Sequence, residues 1–142
     1  MEFADKDEVF FKKFFLLKEK RQFKKALILL SQLEKKYEKS SLVYGLYGAI
    51  NYELKNYKES SKYFKRVIAI NPKSETASLG LFHSFINLRK PTLALKELVR
   101  YSELKKPELY LVTIKELMEN IEDFELVSNK KLIQNLFNKW CG

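Results

Sequence analysis

The sequence predicts an all-α protein assembled from helix-turn-helix units, and three observations carry that prediction. A pattern of aromatic, small and apolar residues recurs at an offset of 34 positions. Only 4 glycines and 3 prolines interrupt 142 residues, which favours long helices over many short strands. In the best-formed unit the apolar residues fall at helical spacing, and lysines crowd the opposite face.

That unit spans residues 41–74. An apolar first helix runs from about Leu42 to Leu54, Lys55-Asn56 forms a turn, and a second helix runs from Tyr57 to Ile70. Asn71-Pro72 ends it, because proline disfavours the helical conformation in the preceding residue and Asn tolerates the turn that results. On the second helix Tyr57, Ser60, Phe64, Val67 and Ile68 share one face, while Lys58, Lys62, Lys65 and Arg66 share the other and face water.

An N-terminal unit over 7–40 follows by alignment, with Gln22-Phe23 at Asn56-Tyr57, Ala26 at Ser60, Leu30 at Phe64 and Leu33 at Val67. A third unit over 75–108 places Lys90-Pro91, Ala94, Leu98 and Tyr101 at the same positions and closes at Pro107. Pro91 suits the first turn of a helix, where no backbone donor is lost. Residues 109–140 read as a helical cap. Leu109, Val112, Leu117 and Ile121 give a rough stripe, Asp123-Phe124 is a loose echo of the turn, and 129–140 puts Leu132, Leu136 and Trp140 beside Ile133 and Phe137. Residues 1–142 form one domain, large enough to bury on the order of two thirds of its unfolded surface.

Tyr44, Gly48, Asn56-Tyr57, Glu59, Ser60, Tyr63-Phe64, Ile68, Ile70 and Asn71-Pro72 together resemble the tetratricopeptide repeat, a helix-turn-helix unit whose arrays commonly bind other proteins. The flanking units depart from the family pattern by placing Phe14 and Phe82 where the family has a small residue, so packing there must differ or the register must shift. The resemblance implies about eight helices in a right-handed superhelical solenoid, with the first helix of each unit lining a concave groove. Carried over residue by residue, the groove takes Phe11, Phe15, Lys18 and Glu19 from the first unit. Leu42, Gly45, Ala49, Tyr52 and Glu53 come from the second, and Thr76, Leu79, His83, Ile86 and Asn87 from the third.

The positions that cationic and amide side chains occupy in family members clamping the C-terminal carboxylates of heat-shock chaperones hold Phe11, Phe15, Gly45, Ala49, Leu79 and His83 here, which argues against that role. Apolar and aromatic lining, with Phe11, Phe15, Tyr52, Leu79, His83 and Ile86 as the partner-binding set, implies a protein or peptide partner with apolar anchors. The same stripes also suit a packed core, and residues 1–6 or the C-terminal helix are rival occupants of the groove. Small members of the family include secretion-chaperone-like and toxin-immunity proteins, and either role suits such a chain.

Net charge is +9, from 27 Lys and Arg against 18 Asp and Glu. It is uneven: 11 against 7 in residues 1–40, 6 against 2 in 41–74, 6 against 4 in 75–108, and 4 against 5 in 109–142. The basic convex face, carried by Lys24, Lys25, Lys62 and Arg66, supports the alternative reading of a nucleic-acid or anionic-surface adaptor. The expectation is that no aromatic residues interleave with these cations as a base-stacking platform requires, so protein binding is the preferred reading.

Nothing in the sequence points to an enzyme or a cofactor. His83 is the only histidine and has no Cys or carboxylate at ligand spacing, and Cys141 reads as an isolated surface thiol in a tail. No phosphate-binding glycine loop, metalloprotease motif or nucleophile elbow is present. The acidic start and the single cysteine point to the cytoplasm, and no segment is apolar and long enough to span a bilayer.

Overall fold

The computed structural model describes residues 5–123 and 125–142, with side chains from Glu8 onward. Most of the rival N-terminal occupant of the groove, and Phe124 of the turn echo, therefore lie outside the described residues. Those residues contain eight α-helices and one short 3-10 turn. In order they are α1 (Asp5–Glu19), α2 (Phe23–Lys36), α3 (Ser41–Glu53), α4 (Tyr57–Ile70), α5 (Glu75–Asn87), α6 (Pro91–Leu104), α7 (Tyr110–Glu119), the 3-10 turn (Val127–Asn129) and α8 (Lys130–Trp140). The protein is an all-helical, repeat-like stack in which α1/α2, α3/α4 and α5/α6 are consecutive hairpins.

The repetition extends to single backbone bonds. Each hairpin turns at a non-glycine residue in the left-handed region: Arg21 at φ 58°, Lys55 at 62° and Arg89 at 59°. The amide that follows bonds back into the preceding helix in each case, Gln22 N–H to Leu17 O (2.8 Å), Asn56 N–H to Asn51 O (2.8 Å) and Lys90 N–H to Phe85 O (2.9 Å). This closure satisfies carbonyls that a helix end leaves without partners. Between hairpins, Ser40 and Ser74 cap α3 and α5 by accepting from Val43 N–H (3.3 Å) and Ala77 N–H (3.2 Å). The corresponding position before α7 is Glu108, and there the capping passes to a neighbour. Glu75, at the start of α5, accepts from Glu108 N–H (2.8 Å) and Tyr110 N–H (3.0 Å).

The aligned positions of the second helices all enter the core. Ala26, Ser60 and Ala94 are buried, as are Leu30, Phe64 and Leu98, and Leu33, Val67 and Tyr101. Ser60 departs from alanine because it is partnered: its hydroxyl meets that of Ser84 at 2.6 Å, and Ser84 donates to Gly80 O. With Ser84 committed as donor, Ser60 donates to it, and no polar atom is stranded between α4 and α5. A second buried network joins α5, α6 and α7. Glu97 accepts from Ser78 Oγ (2.6 Å) and from Arg100 Nε and Nη2 (both 2.7 Å), and Tyr110 Oη lies 2.7 Å from Ser78 Oγ.

Phe14 and Phe82, the two departures from the small-residue pattern, are both core residues. Phe82 meets Tyr110 of α7 edge-on at 5.7 Å, so its bulk fills the step to the next helix. The close approach in α5 instead falls at Gly80, two residues earlier. The stripe expected in the cap is also shifted. Leu109 and Val112 are exposed, at 51% and 63%, whereas Tyr110, Thr113, Ile114 and Leu117 are buried. The Glu75 cap sets the start of α7 and with it the face that turns inward. In α8 the expected face holds, with Ile133 and Leu136 buried and Leu132, Phe137 and Trp140 packed beside them. Cys141 is a free cysteine half-buried against this cluster, its Sγ 3.8 Å from Leu111 O, so it is packed and does not stand isolated in a tail. Among the described residues no helix is long and apolar enough to cross a membrane.

Candidate partner-binding groove

An open cleft of about 640 Å³ lies between α3 and α5, floored by α4. From α3 it is lined by Leu42, Gly45, Leu46, Ala49, Tyr52 and Glu53, and from α5 by Thr76, Ala77, Leu79, Gly80 and His83. Phe64 and Val67 of α4 form the floor, and Leu109 closes the far end. The room exists because two glycines face one ring. A Cβ on Gly48 would lie 2.8 Å from Phe64 Cε1, and one on Gly80 would lie 2.6 Å from Phe64 Cζ, so α3 and α5 both close onto Phe64. Across the opening, Asn87 Nδ2 donates to Tyr52 Oη (3.1 Å) and to His83 O (2.8 Å), tying the two walls together.

Of the residues the resemblance carried over to the groove, Tyr52, Leu79 and His83 line this cleft, with Leu42, Gly45, Ala49, Glu53 and Thr76. Ile86 does not join them. It lines a second, smaller cleft of about 290 Å³ between α5 and α7, with Phe82, Thr113, Glu116, Leu117, Asn120, Asp123, Glu125 and Leu126. His83 borders both clefts, so they abut along α5. Burial holds the His83 imidazole below its ordinary pKa, and nearby Glu116 opposes that shift, so the ring is neutral at neutral pH.

Phe11 and Phe15 lie elsewhere. Phe11 packs partly buried against the N-terminal core of α1, α2 and α3, and Phe15 is half-exposed, meeting the Phe14 ring edge-on at 5.3 Å. Neither lines either cleft. The C-terminal helix does not fill the groove, since α8 packs on α7 and the core behind it.

On the outer surface Lys24, Lys25, Lys62 and Arg66 are all exposed. Aromatic rings do sit among these cations, contrary to the expectation that none interleave with them. The Arg66 guanidinium lies over Tyr63 (5.0 Å) and Tyr44 (5.4 Å), and Tyr63 stacks on Tyr47 at 4.9 Å. Arg66 and Tyr47 both pack on the Tyr63 ring. Burial and the adjacent Glu34 carboxylate push the Tyr47 phenol far above its ordinary pKa. The cluster is a packed seam between α2, α3 and α4, and no open stacking platform results. Among the described residues no three His, Cys, Asp or Glu side chains converge as a metal site requires.

Comparison of the chain with protein-family models, with curated proteins and with solved structures gave no match. The class that can be stated is therefore the one the fold defines, an all-helical stack of hairpins with an apolar cleft between the first helices of successive hairpins.

Proposed function

We propose that this chain is a tetratricopeptide-type protein that binds an apolar segment of a partner protein in the α3–α5 cleft and acts by holding it, without catalysis. The observation that carries the proposal is the cleft itself: about 640 Å³, walled by Leu42, Leu46, Ala49, Tyr52 and Leu79, with Glu53 its sole charged lining residue. An apolar concavity with one aromatic hydroxyl and few polar groups suits the anchors of a helix or extended segment. The exact 34-residue recurrence of turns and buried positions supports the family reading. Among family roles, apolar lining favours a chaperone-like holder of a hydrophobic client over a toxin-immunity protein, in which charge matching would dominate.

The test is a photoreactive residue placed at Tyr52 or Leu79, and separately at Lys62 on the outer face, followed by irradiation in the source cells. A protein adduct specific to Tyr52 and Leu79, abolished by Leu42→Asp in a chain of unchanged helicity, is the expected result. Adducts formed only from Lys62 would move the binding surface to the basic face, and adducts that Leu42→Asp leaves intact would remove the cleft from the account.

A further inference from the structure

The net charge of +9 is not the charge a segment in the groove would meet. The chain carries 27 Lys and Arg against 18 Asp and Glu, yet no Lys or Arg lines either cleft. The charged lining residues are Glu53 in the first cleft and Glu116, Asp123 and Glu125 in the second. Arg21 approaches Glu53 to 3.8 Å from the rim, and Arg89 pairs with Glu125. Glu116 and Asp123 have no cationic partner within ion-pair distance among the described residues, although Arg89 and Lys130 hold the neighbouring Glu125 and Glu122, and His83 borders the same cleft.

Lys and Arg are thus kept out of these two clefts of a strongly basic molecule, and carboxylates line the groove at the end reached from the apolar cleft past His83. We infer that the groove takes an amphipathic peptide segment whose apolar side chains seat between α3 and α5 and whose Lys or Arg side chains reach Glu116 and Asp123 between α5 and α7. Charge complementarity names the occupant. An acidic segment would place like charges together at the second cleft, while a wholly apolar one would leave two exposed carboxylates without a counterion. The inference rests on the cleft being the binding surface and adds the chemistry that a partner must carry.

Two synthetic helical peptides test it, sharing one leucine face but carrying lysines in one and glutamates in the other on the remaining positions. Binding to the full chain is read by fluorescence anisotropy at low salt. The lysine peptide is expected to bind roughly tenfold more tightly than the glutamate peptide, although the net charge of the protein favours the reverse. In Glu116→Lys/Asp123→Lys the order should invert. Leu79→Asp and Ala49→Trp, the second of which fills the cleft without removing a core side chain, should weaken both peptides.

Equal affinities, or preference for the glutamate peptide, with the cleft variants still weakening binding, would overturn the charge inference and leave the groove reading standing. Binding of neither peptide, or binding that both cleft variants leave unchanged, would overturn the groove reading and the inference with it. Self-association through the cleft, seen as a dimer in sedimentation that Leu79→Asp dissolves, would replace the peptide by a second copy of the chain.

Discussion

Gly80→Ala tests whether the Phe64 ring is the wedge that sets the distance between α3 and α5. At an ordinary position in a helix interior, glycine to alanine stabilises by up to about 1 kcal/mol, because alanine orders less backbone freedom on folding. At Gly80 the new Cβ would lie 2.6 Å from Phe64 Cζ and 2.7 Å from Cε2, well inside contact distance. The ring cannot simply retreat, since Gly48 lies on its other side, where a Cβ would be 2.8 Å away. The remaining open direction is the cleft, and turning there would strain the side chain and fill the groove. Overpacking of this kind costs about 1–3 kcal/mol, so the net effect should be a loss of about 1–2 kcal/mol, or roughly 3–6 °C in Tm for a chain of this size.

Gly45→Ala, one turn before Gly48 on α3, is the matched control. Its nearest neighbour is Val67 Cγ2 at 3.9 Å, an ordinary contact, so the same substitution should raise stability by about 0.5–1 kcal/mol. Urea and thermal unfolding followed by helical circular dichroism would measure both. Phe64→Leu should absorb part of the Gly80→Ala penalty, giving a coupling of about 1 kcal/mol in a double-mutant cycle. If Gly80→Ala stabilises as Gly45→Ala does, or if the two changes add without coupling, the wedge account is wrong.

Two further predictions concern the turns and the buried phenols. Lys55→Gly should stabilise by about 0.5–1 kcal/mol in urea unfolding, because a side chain in the left-handed region costs about 1–2 kcal/mol while the added unfolded-state freedom of glycine takes back only part; Lys62→Gly, exposed within α4, should lose about 1 kcal/mol, and equal effects at the two sites would refute the reasoning. Burial holds the Tyr47 and Tyr110 phenols protonated above the usual tyrosine range, with Glu34 adding at Tyr47 and Glu97 at Tyr110. The unfolded chain then loses these protons first, so their contribution is intact below pH ~10 and is lost as pH rises beyond it. An ultraviolet titration should show some of the 8 tyrosines ionising only as the helical signal falls, and a single step near pH ~10 with full helicity retained would contradict it.

Much of the fold was legible because its information repeats. Residues at an offset of 34 must solve the same packing problem, so Ala26, Ser60 and Ala94 identify one buried position three times over. The turns were harder to read, since Arg21, Lys55 and Arg89 occupy the left-handed position where glycine would have announced it. The start of α7 was hidden for a different reason. Its cap is Glu75, more than thirty residues back in the chain, and no local pattern reveals a carboxylate arriving from a neighbouring helix. Without that cap in view, Leu109 and Val112 read as an inward stripe, when the buried face begins one residue later at Tyr110.

The positions that the resemblance carried over line the cleft where it is built from α3 and α5, with Leu42, Gly45, Ala49 and Tyr52 on one wall and Thr76, Leu79 and His83 on the other. That correspondence failed at Phe11 and Phe15, because equivalence by offset assigns a face to α1 but does not say that the groove extends that far. The acidic end was present in the sequence as a count, 4 basic against 5 acidic residues in 109–142, without any indication that Glu116 and Asp123 would turn toward the groove. The distinction matters for how a partner meets the molecule. Fields from exposed charges fade over about 8 Å at physiological salt, so the outer lysines govern encounter at low salt, while the residues lining the groove govern what stays bound. On the proposed reading, a basic segment would be slowed by the surface and retained by the groove. Added salt should speed its association and, by screening Glu116 and Asp123, speed its release as well.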